Sequence, residues 1–324
     1  MGQSARKGQS ARKGPTARKG QSARKGPTAP GGPITSDEEP RRRVAAVVAY
    51  DGRPFRGFAH QPGQRTVAGE LAEALERVSG HEVEITCAGR TDAGVHAWGQ
   101  VVHFDTAAGV DLVALKRSCN KMLAPAIVLR EVAEADPQFD ARRSATARRY
   151  RYVLLTAPLP DPFLAGLAWQ VERPLDLRAL RLGCDPLLGE HDFAAFCRRP
   201  KAPVSDEGTA SEPSLVRRVT DATWRKGPGD LLYFEIEANA FCHQMVRSVV
   251  GTLVDVGCGR RKAGHVASIL ASRDRSTAGQ LAPPDGLYLL HVSYAPTGSA
   301  PLPDPAHSTP QRGEVADVPR SPYR

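Results

Sequence analysis

Between residues 44 and 294 the spacing of apolar side chains switches repeatedly between a period of two and a period near 3.6, which restricts the chain to an α+β class. Val44–Tyr50 reads as a buried strand. Thr66–Val78 reads as a helix with Val67, Leu71, Leu75 and Val78 on one face. Two strands, Val83–Cys87 and Gln100–Phe104, are followed by a helix over Leu112–Leu123 and a strand over Ile127–Val132. The order β-α-β-β-α-β is that of a split-βαβ, ferredoxin-like unit. A second round comprises a strand at Tyr150–Leu155, a helix near Leu177–Leu188 and strands at Val216–Trp224 and Leu231–Glu237. Helices at Cys242–Val256 and Gly264–Ser272 and a last strand at Leu287–Tyr294 complete it. The expected architecture is two ferredoxin-like (RRM-like) halves, 44–149 and 150–296, with mainly antiparallel sheets.

The flanks lack this pattern. From Gly2 the sequence repeats in hexads (GQSARK, GPTARK) with almost no apolar side chain larger than alanine, so residues 1–43 are expected to be a disordered basic tail. Residues 297–324, rich in proline, are expected to form a second disordered tail, and 198–214 an exposed loop. Charge follows the same division. The formal net charge is +9, and residues 1–43, with eleven Lys and Arg against three Asp and Glu, account for +8 of it. Any nucleic-acid surface on the body must then come from local clusters, such as Arg142, Arg143, Arg148, Arg149 and Arg151. Six scattered cysteines, with no Cys-x-x-Cys pair, argue against a zinc or dithiol site and suit a reducing, cytosolic compartment. No stretch reaches the roughly 18 apolar residues that span a bilayer, so a soluble, cytoplasmic protein is expected.

The densest chemistry lies in Cys87–Asp105, CAGRTDAGVHAWGQVVHFD. Gly89 and Gly94 have the spacing of a phosphate-cradling loop, but Val95-His96 follows where that loop needs Lys and then Ser or Thr. The downstream pattern is also a strand and not a helix, so nucleotide hydrolysis is disfavoured. A tight turn in which Asp92 bonds its own backbone would suffice structurally. Against that stands the grouping of Arg90, Asp92 and His96 on one connection between strands, a firm mount for reactive groups.

The run Ala88-Gly89-Arg90-Thr91-Asp92-Ala93-Gly94-Val95-His96, with Gly99-Gln100-Val101-Val102-His103-Phe104 after it, resembles the signature of the bacterial tRNA pseudouridine synthase A family. Tyr50-Asp51-Gly52 and Gly57, FDARRSATARRYRY from Phe139, LLGEHDFAAF from Leu187, ANAFCHQMVRSVVGTLVDVG from Ala238 and GLYL from Gly286 occur in that family's order. The resemblance covers roughly residues 44–296. It departs at Gly57-Phe58-Ala59-His60-Gln61, where the family commonly has Gly-Trp-Gln-Arg-Gln, and at Leu123-Ala124-Pro125-Ala126-Ile127, although Asn120 is kept.

The resemblance implies an isomerase that detaches uracil from ribose and rejoins it through carbon 5, without metal, nucleotide or redox cofactor. It implies Asp92 as nucleophile, Arg247 as its compensating cation, and Tyr150 stacked on the target base. Tyr152, two residues on and on the same face, competes with Tyr150. Substrate contacts are expected from Tyr150, Arg90, His96, Gln100, Asn120, Phe58 and Arg142, with His96 and His103 structural or backbone-binding rather than proton carriers. The implied partner is tRNA, bound by a homodimer, with the uridine flipped out of the anticodon stem-loop. A noncatalytic RNA-binding protein, or a pseudouridine synthase acting on other RNAs, is the alternative.

Overall fold

The computed structural model describes residues 40–199 and 214–295 of the 324-residue chain. The hexad repeats, most of the expected 198–214 loop and the proline-rich tail lie outside the described residues. Residues 41–43, expected in the tail, instead open the first strand, because Arg42 pairs with Glu134 and Arg43 with Asp105 on the neighbouring strands.

The strands are β1 (Arg41–Tyr50), β2 (Thr86–Cys87), β3 (His96–Ala107), β4 (Ile127–Glu134), β5 (Ala145–Leu155), β6 (Trp169–Gln170), β7 (Gly189–Asp192), β8 (Val216–Lys226), β9 (Leu231–Ala238) and β10 (Leu287–Tyr294). They form one sheet ordered β4-β1-β3-β10-β5-β9-β8-β7, with β2 added to β3 and β6 to β5. All pairs are antiparallel except β3 with β10 and β5 with β6. Within it the order β4-β1-β3-β2 is repeated as β10-β5-β9-β8, so each round of the sequence makes a ferredoxin-like unit. The two rounds share one sheet and one continuous core. They join where His96 and Ala97 of β3 run beside Tyr288 and Leu289 of β10.

The helices are α1 (Val67–Ser79), α2 (Leu112–Leu123), α3 (Leu177–Leu182), α4 (Met245–Gly257) and α5 (His265–Ser272). Side-chain caps set the starts of the first three. Thr66 accepts from the Gly69 N–H, Asp111 from Val113 and Ala114, and Asp176 from Arg178 and Ala179. On α1, Val67, Leu71 and Leu75 are buried against the sheet, while Val78 packs at the edge of the core. Helix α4 is buried along nearly its whole length, which fits its almost unbroken apolar sequence. None of these helices is long and apolar enough to cross a membrane.

Several elements differ from the periodic reading. The expected strand at Val83–Cys87 shrinks to two residues, since the Val83 N–H donates to the Glu76 carboxylate of α1 and not to a strand. Conversely, β3 begins four residues early, because its start is paired on both sides, with Tyr50 and with β10. The helix near Leu177 stops at Leu182, and Asp185–Leu187 forms a single 3₁₀ turn after the Gly183 break, with a proline inside it. Helix α4 starts at Met245 and not Cys242, because Gln244 takes a left-handed conformation at φ 64°. β6 and β7 are too short to leave a period.

Candidate active site

Residues 88–95 connect β2 to β3 and are fastened on both sides. The Gln100 amide donates to the Gly89 carbonyl at 2.6 Å, and the Tyr50 hydroxyl and Thr91 Oγ1 share a hydrogen bond of 2.7 Å. Phe58 donates its backbone N–H to the Thr91 carbonyl, and Val95 donates to the Asp92 carbonyl, closing a tight turn. The chain after β1 lies so close to the turn that a Cβ on Gly52 would stand 2.2 Å from the Val95 oxygen. Gly94, at φ 79°, abuts Pro284. With its backbone so held, the loop presents the Asp92 carboxylate, half-buried, towards the second half of the sheet.

The second half answers with two elements. From the first turn of α4, Arg247 places Nη1 3.0 Å from Asp92 Oδ2 and donates Nε–H to the Ala282 carbonyl at 2.8 Å. Ala282 in turn donates its N–H to the Arg247 carbonyl. This stretch can run against α4 because Gly251 is there, since a Cβ at that position would meet the Gln280 oxygen at 1.7 Å. Only 12% of the Arg247 side chain is exposed. From β5, Tyr150 lies in the core with Phe241 packed edge-on at 5.0 Å, and its hydroxyl sits beside Gly89. That hydroxyl makes no hydrogen bond among the described residues. Burial pushes the phenol well above its ordinary pKa, Arg148 draws it back, and the Asp92 charge adds to the rise, so the group stays protonated. Tyr152, the competing tyrosine, is fully buried and donates its hydroxyl to the Pro283 carbonyl at 2.7 Å, which removes it from the cleft.

The other expected contacts divide sharply. Arg90 and Arg142 are exposed near the loop. Gln100 is fully buried and spends its amide on Gly89 and Tyr50. Asn120 ties α2 to β4 through paired hydrogen bonds with Leu129, at 2.7 and 2.9 Å. Phe58 packs in the core with its ring 6.1 Å from that of Tyr50. His96 is buried and stacked on Tyr288, accepts the Gly52 N–H at Nδ1 and donates Nε2–H to the Gly166 carbonyl. Burial lowers its pKa, so its 3.3 Å approach to Asp51 is not an ion pair. His103 likewise accepts the Ala141 N–H, and burial lowers its pKa. In this structure Gln100 and Asn120 thus spend their amides, His96 its ring nitrogens and Phe58 its ring on the scaffold around the loop.

The proposed basic cluster is also corrected. Arg142 and Arg143 are exposed, but Arg149 is paired with Asp221, Glu235 and Glu237, and Arg151 with Glu235. Arg148 is buried and donates to the carbonyls of Ala88, Arg142, Ala145 and Asn239, stitching the root of the loop to β9. Burial lowers its pKa below the ordinary arginine value. Two further neighbours escaped the sequence reading. His243 places Nε2 3.3 Å from Asp92 Oδ1. Cys242 beside it is joined to Cys197 as a disulfide, a pairing that 45 residues of separation conceals.

Comparison with known proteins places the chain in a family. A family model described as tRNA pseudouridine synthase matches residues 46–143 and 184–295, the two stretches that carry the loop and α4. A tRNA pseudouridine synthase A of Halalkalibacterium halodurans is 42% identical over 248 residues, covering 76% of this chain and 90% of that one. That of Frankia casuarinae is 44% identical over 258 residues, covering 78% and 90%. That of Aromatoleum aromaticum is 40% identical over 285 residues, covering 87% and 99%. Agreement on this scale, running through both halves of the sheet and along nearly the full length of each relative, shows that the chain belongs to the tRNA pseudouridine synthase family.

Proposed function

We propose that this protein isomerises uridine to pseudouridine in tRNA, at uridines just 3′ of the anticodon, with Asp92 as the nucleophile. The reaction breaks the bond between ribose C1′ and uracil N1, turns the base, and forms a bond from C1′ to C5. C5 gives up a proton and N1 gains one, so nothing is consumed. Whether a carboxylate adds to C1′ or to the uracil ring, it must be ionised, aimed and shielded from water. Arg247 supplies the compensating charge on one oxygen, and Tyr150 offers an aromatic ring and a protonated hydroxyl that feels the charge of the same carboxylate. A base inside a stem must first be extracted, at a cost of a few kcal/mol. The exposed Arg90 and Arg142 are placed to offset that by holding backbone phosphates. The protein works in the cytoplasm as a homodimer, as the family resemblance implies, and uses no cofactor.

The observation that carries this reading is the 3.0 Å pair between Asp92 Oδ2 and Arg247 Nη1 on a loop clamped by Gln100, Tyr50 and Phe58. Its test is Asp92→Asn, which keeps size and most hydrogen bonding. Binding to a tRNA transcript should persist, while pseudouridine formation should fall below about one per cent of wild type. Residual turnover above that level would sink the assignment, and a wild-type chain that binds tRNA without forming pseudouridine would point to a role in RNA binding.

A further inference from the structure

We propose that His243 is a positioning residue for Asp92, holding the second carboxylate oxygen while Arg247 holds the first. The proposal rests on Asp92 being the nucleophile. A carboxylate turns easily about its last torsion, because that rotation is broad and shallow. One guanidinium nitrogen on Oδ2 fixes a single oxygen and leaves the plane of the group free. The approach of His243 Nε2 to Oδ1, at 3.3 Å, closes that freedom. The contact is a close approach rather than an aligned N–H···O bond in this structure, and catalytic contacts that are poorly aligned without substrate commonly align on binding.

The backbone shows how both holders reach one carboxylate. His243 and Arg247 are four apart, yet α4 begins only at Met245, so helical spacing alone does not align them. Gln244 makes the connection. A non-glycine residue in the left-handed region is costly and persists where its surroundings dictate it. Here the Met245 N–H donates to the Cys242 carbonyl, the Ser248 N–H to the Gln244 carbonyl, and the Arg198 N–H to the His243 carbonyl at 2.9 Å. The turn therefore has fixed partners on both sides. Residues 241–247 address the whole site, with Phe241 against Tyr150 and with His243 and Arg247 on the two oxygens of Asp92.

Since 46% of the His243 side chain is exposed, replacing it empties no core, and the full-length variants should fold. Leucine removes the donor, whereas glutamine carries an N–H donor near the position of Nε2. Pseudouridine formation would be measured on a tRNA transcript bearing a uridine just 3′ of the anticodon. His243→Leu should lower kcat about tenfold, with KM for tRNA and the melting temperature close to wild type, and His243→Gln should recover at least half of the lost rate. Wild-type kcat in His243→Leu, a change in KM alone, or an equal loss in both variants would overturn the proposal. Asp92→Asn keeps the two readings apart. If it is inactive while His243→Leu is normal, only the positioning role fails, whereas if it is active the nucleophile assignment fails with it.

Discussion

The two ferredoxin-like halves have the same strand order and opposite uses for the same connection. In the second half, β8 and β9 are long partners joined by the tight turn Gly227–Asp230, closed by hydrogen bonds from the Gly227 N–H to the Leu231 carbonyl and from the Leu231 N–H to the Pro228 carbonyl. In the first half the corresponding strand, β2, is only two residues long, and its link to β3 is the eight-residue loop that carries Asp92. That shortening frees the start of β3, and β10 takes its place there. One change thus builds the loop that carries Asp92 and joins the halves beside it. The difference recurs in the helices. α2 buries one stripe, Leu115, Cys119 and Leu123, whereas α4 is buried almost throughout, so Arg247 is borne by an element with little freedom to shift.

If the first half supplies the nucleophile and the second only its compensating charge, removing that charge should be nearly as damaging as removing the carboxylate. Arg247→Leu is expected to lower kcat at least about 100-fold, or roughly 2.7 kcal/mol of transition-state stabilisation. The loss should lie in kcat and not in KM, because Arg247 is largely buried behind the carboxylate. Single-turnover rates at saturating tRNA check this. A variant with kcat within a few-fold of wild type would mean that Asp92 needs no partner from across the halves.

A second expectation tests whether the halves are tied as well as juxtaposed. Arg148→Met removes the donor shared by the Ala88, Arg142, Ala145 and Asn239 carbonyls and leaves buried acceptors unsatisfied. Each such group costs about 1–3 kcal/mol, so the variant should lose about 3 kcal/mol or more in chemical denaturation. Arg142→Met, on an exposed side chain, should lose almost none. Equal stability of the two variants would show that Arg148 is not the tie.

Most of the strands and helices were legible because burial on one face imposes a period, and Leu112–Leu123 and Leu287–Tyr294 fall where the period places them. The departures share one physical cause, competition between local pattern and long-range partners. Val83 has a strand-like neighbourhood, but its N–H goes to Glu76. Arg148, Arg149 and Arg151 look like an RNA-binding run, yet three carboxylates of β8 and β9 claim Arg149 and Arg151, and four backbone carbonyls, two of them distant in sequence, claim Arg148. Asp92 and Arg247 could be named from a family resemblance. His243 could not be found from spacing, because its reach depends on the left-handed Gln244, which nothing in the residue type announces. The bond from Gln100 to the Gly89 carbonyl was not legible either, since it depends on a buried amide meeting its needs from a loop eleven residues away.

The smallest expected effects come from glycines at the two contrasted connections. Gly52 lies where the backbone after β1 meets the turn of the reactive loop, and a methyl group there would face the Val95 oxygen at 2.2 Å, a backbone atom that cannot rotate away. Gly52→Ala should therefore displace the loop, costing about 2 kcal/mol in stability and several-fold in kcat. Gly229 sits in the β8–β9 turn at φ 57°, with open space around its missing Cβ, so Gly229→Ala carries only the strain of a left-handed alanine, about 1 kcal/mol. Its kcat should equal wild type, because no active-site residue comes from that turn. Melting curves and steady-state kinetics on both variants read the contrast. A kcat loss in Gly229→Ala would show that the second half's hairpin is not the inert counterpart of the reactive loop, whereas normal kcat in Gly52→Ala would show that Asp92 tolerates movement of its mount.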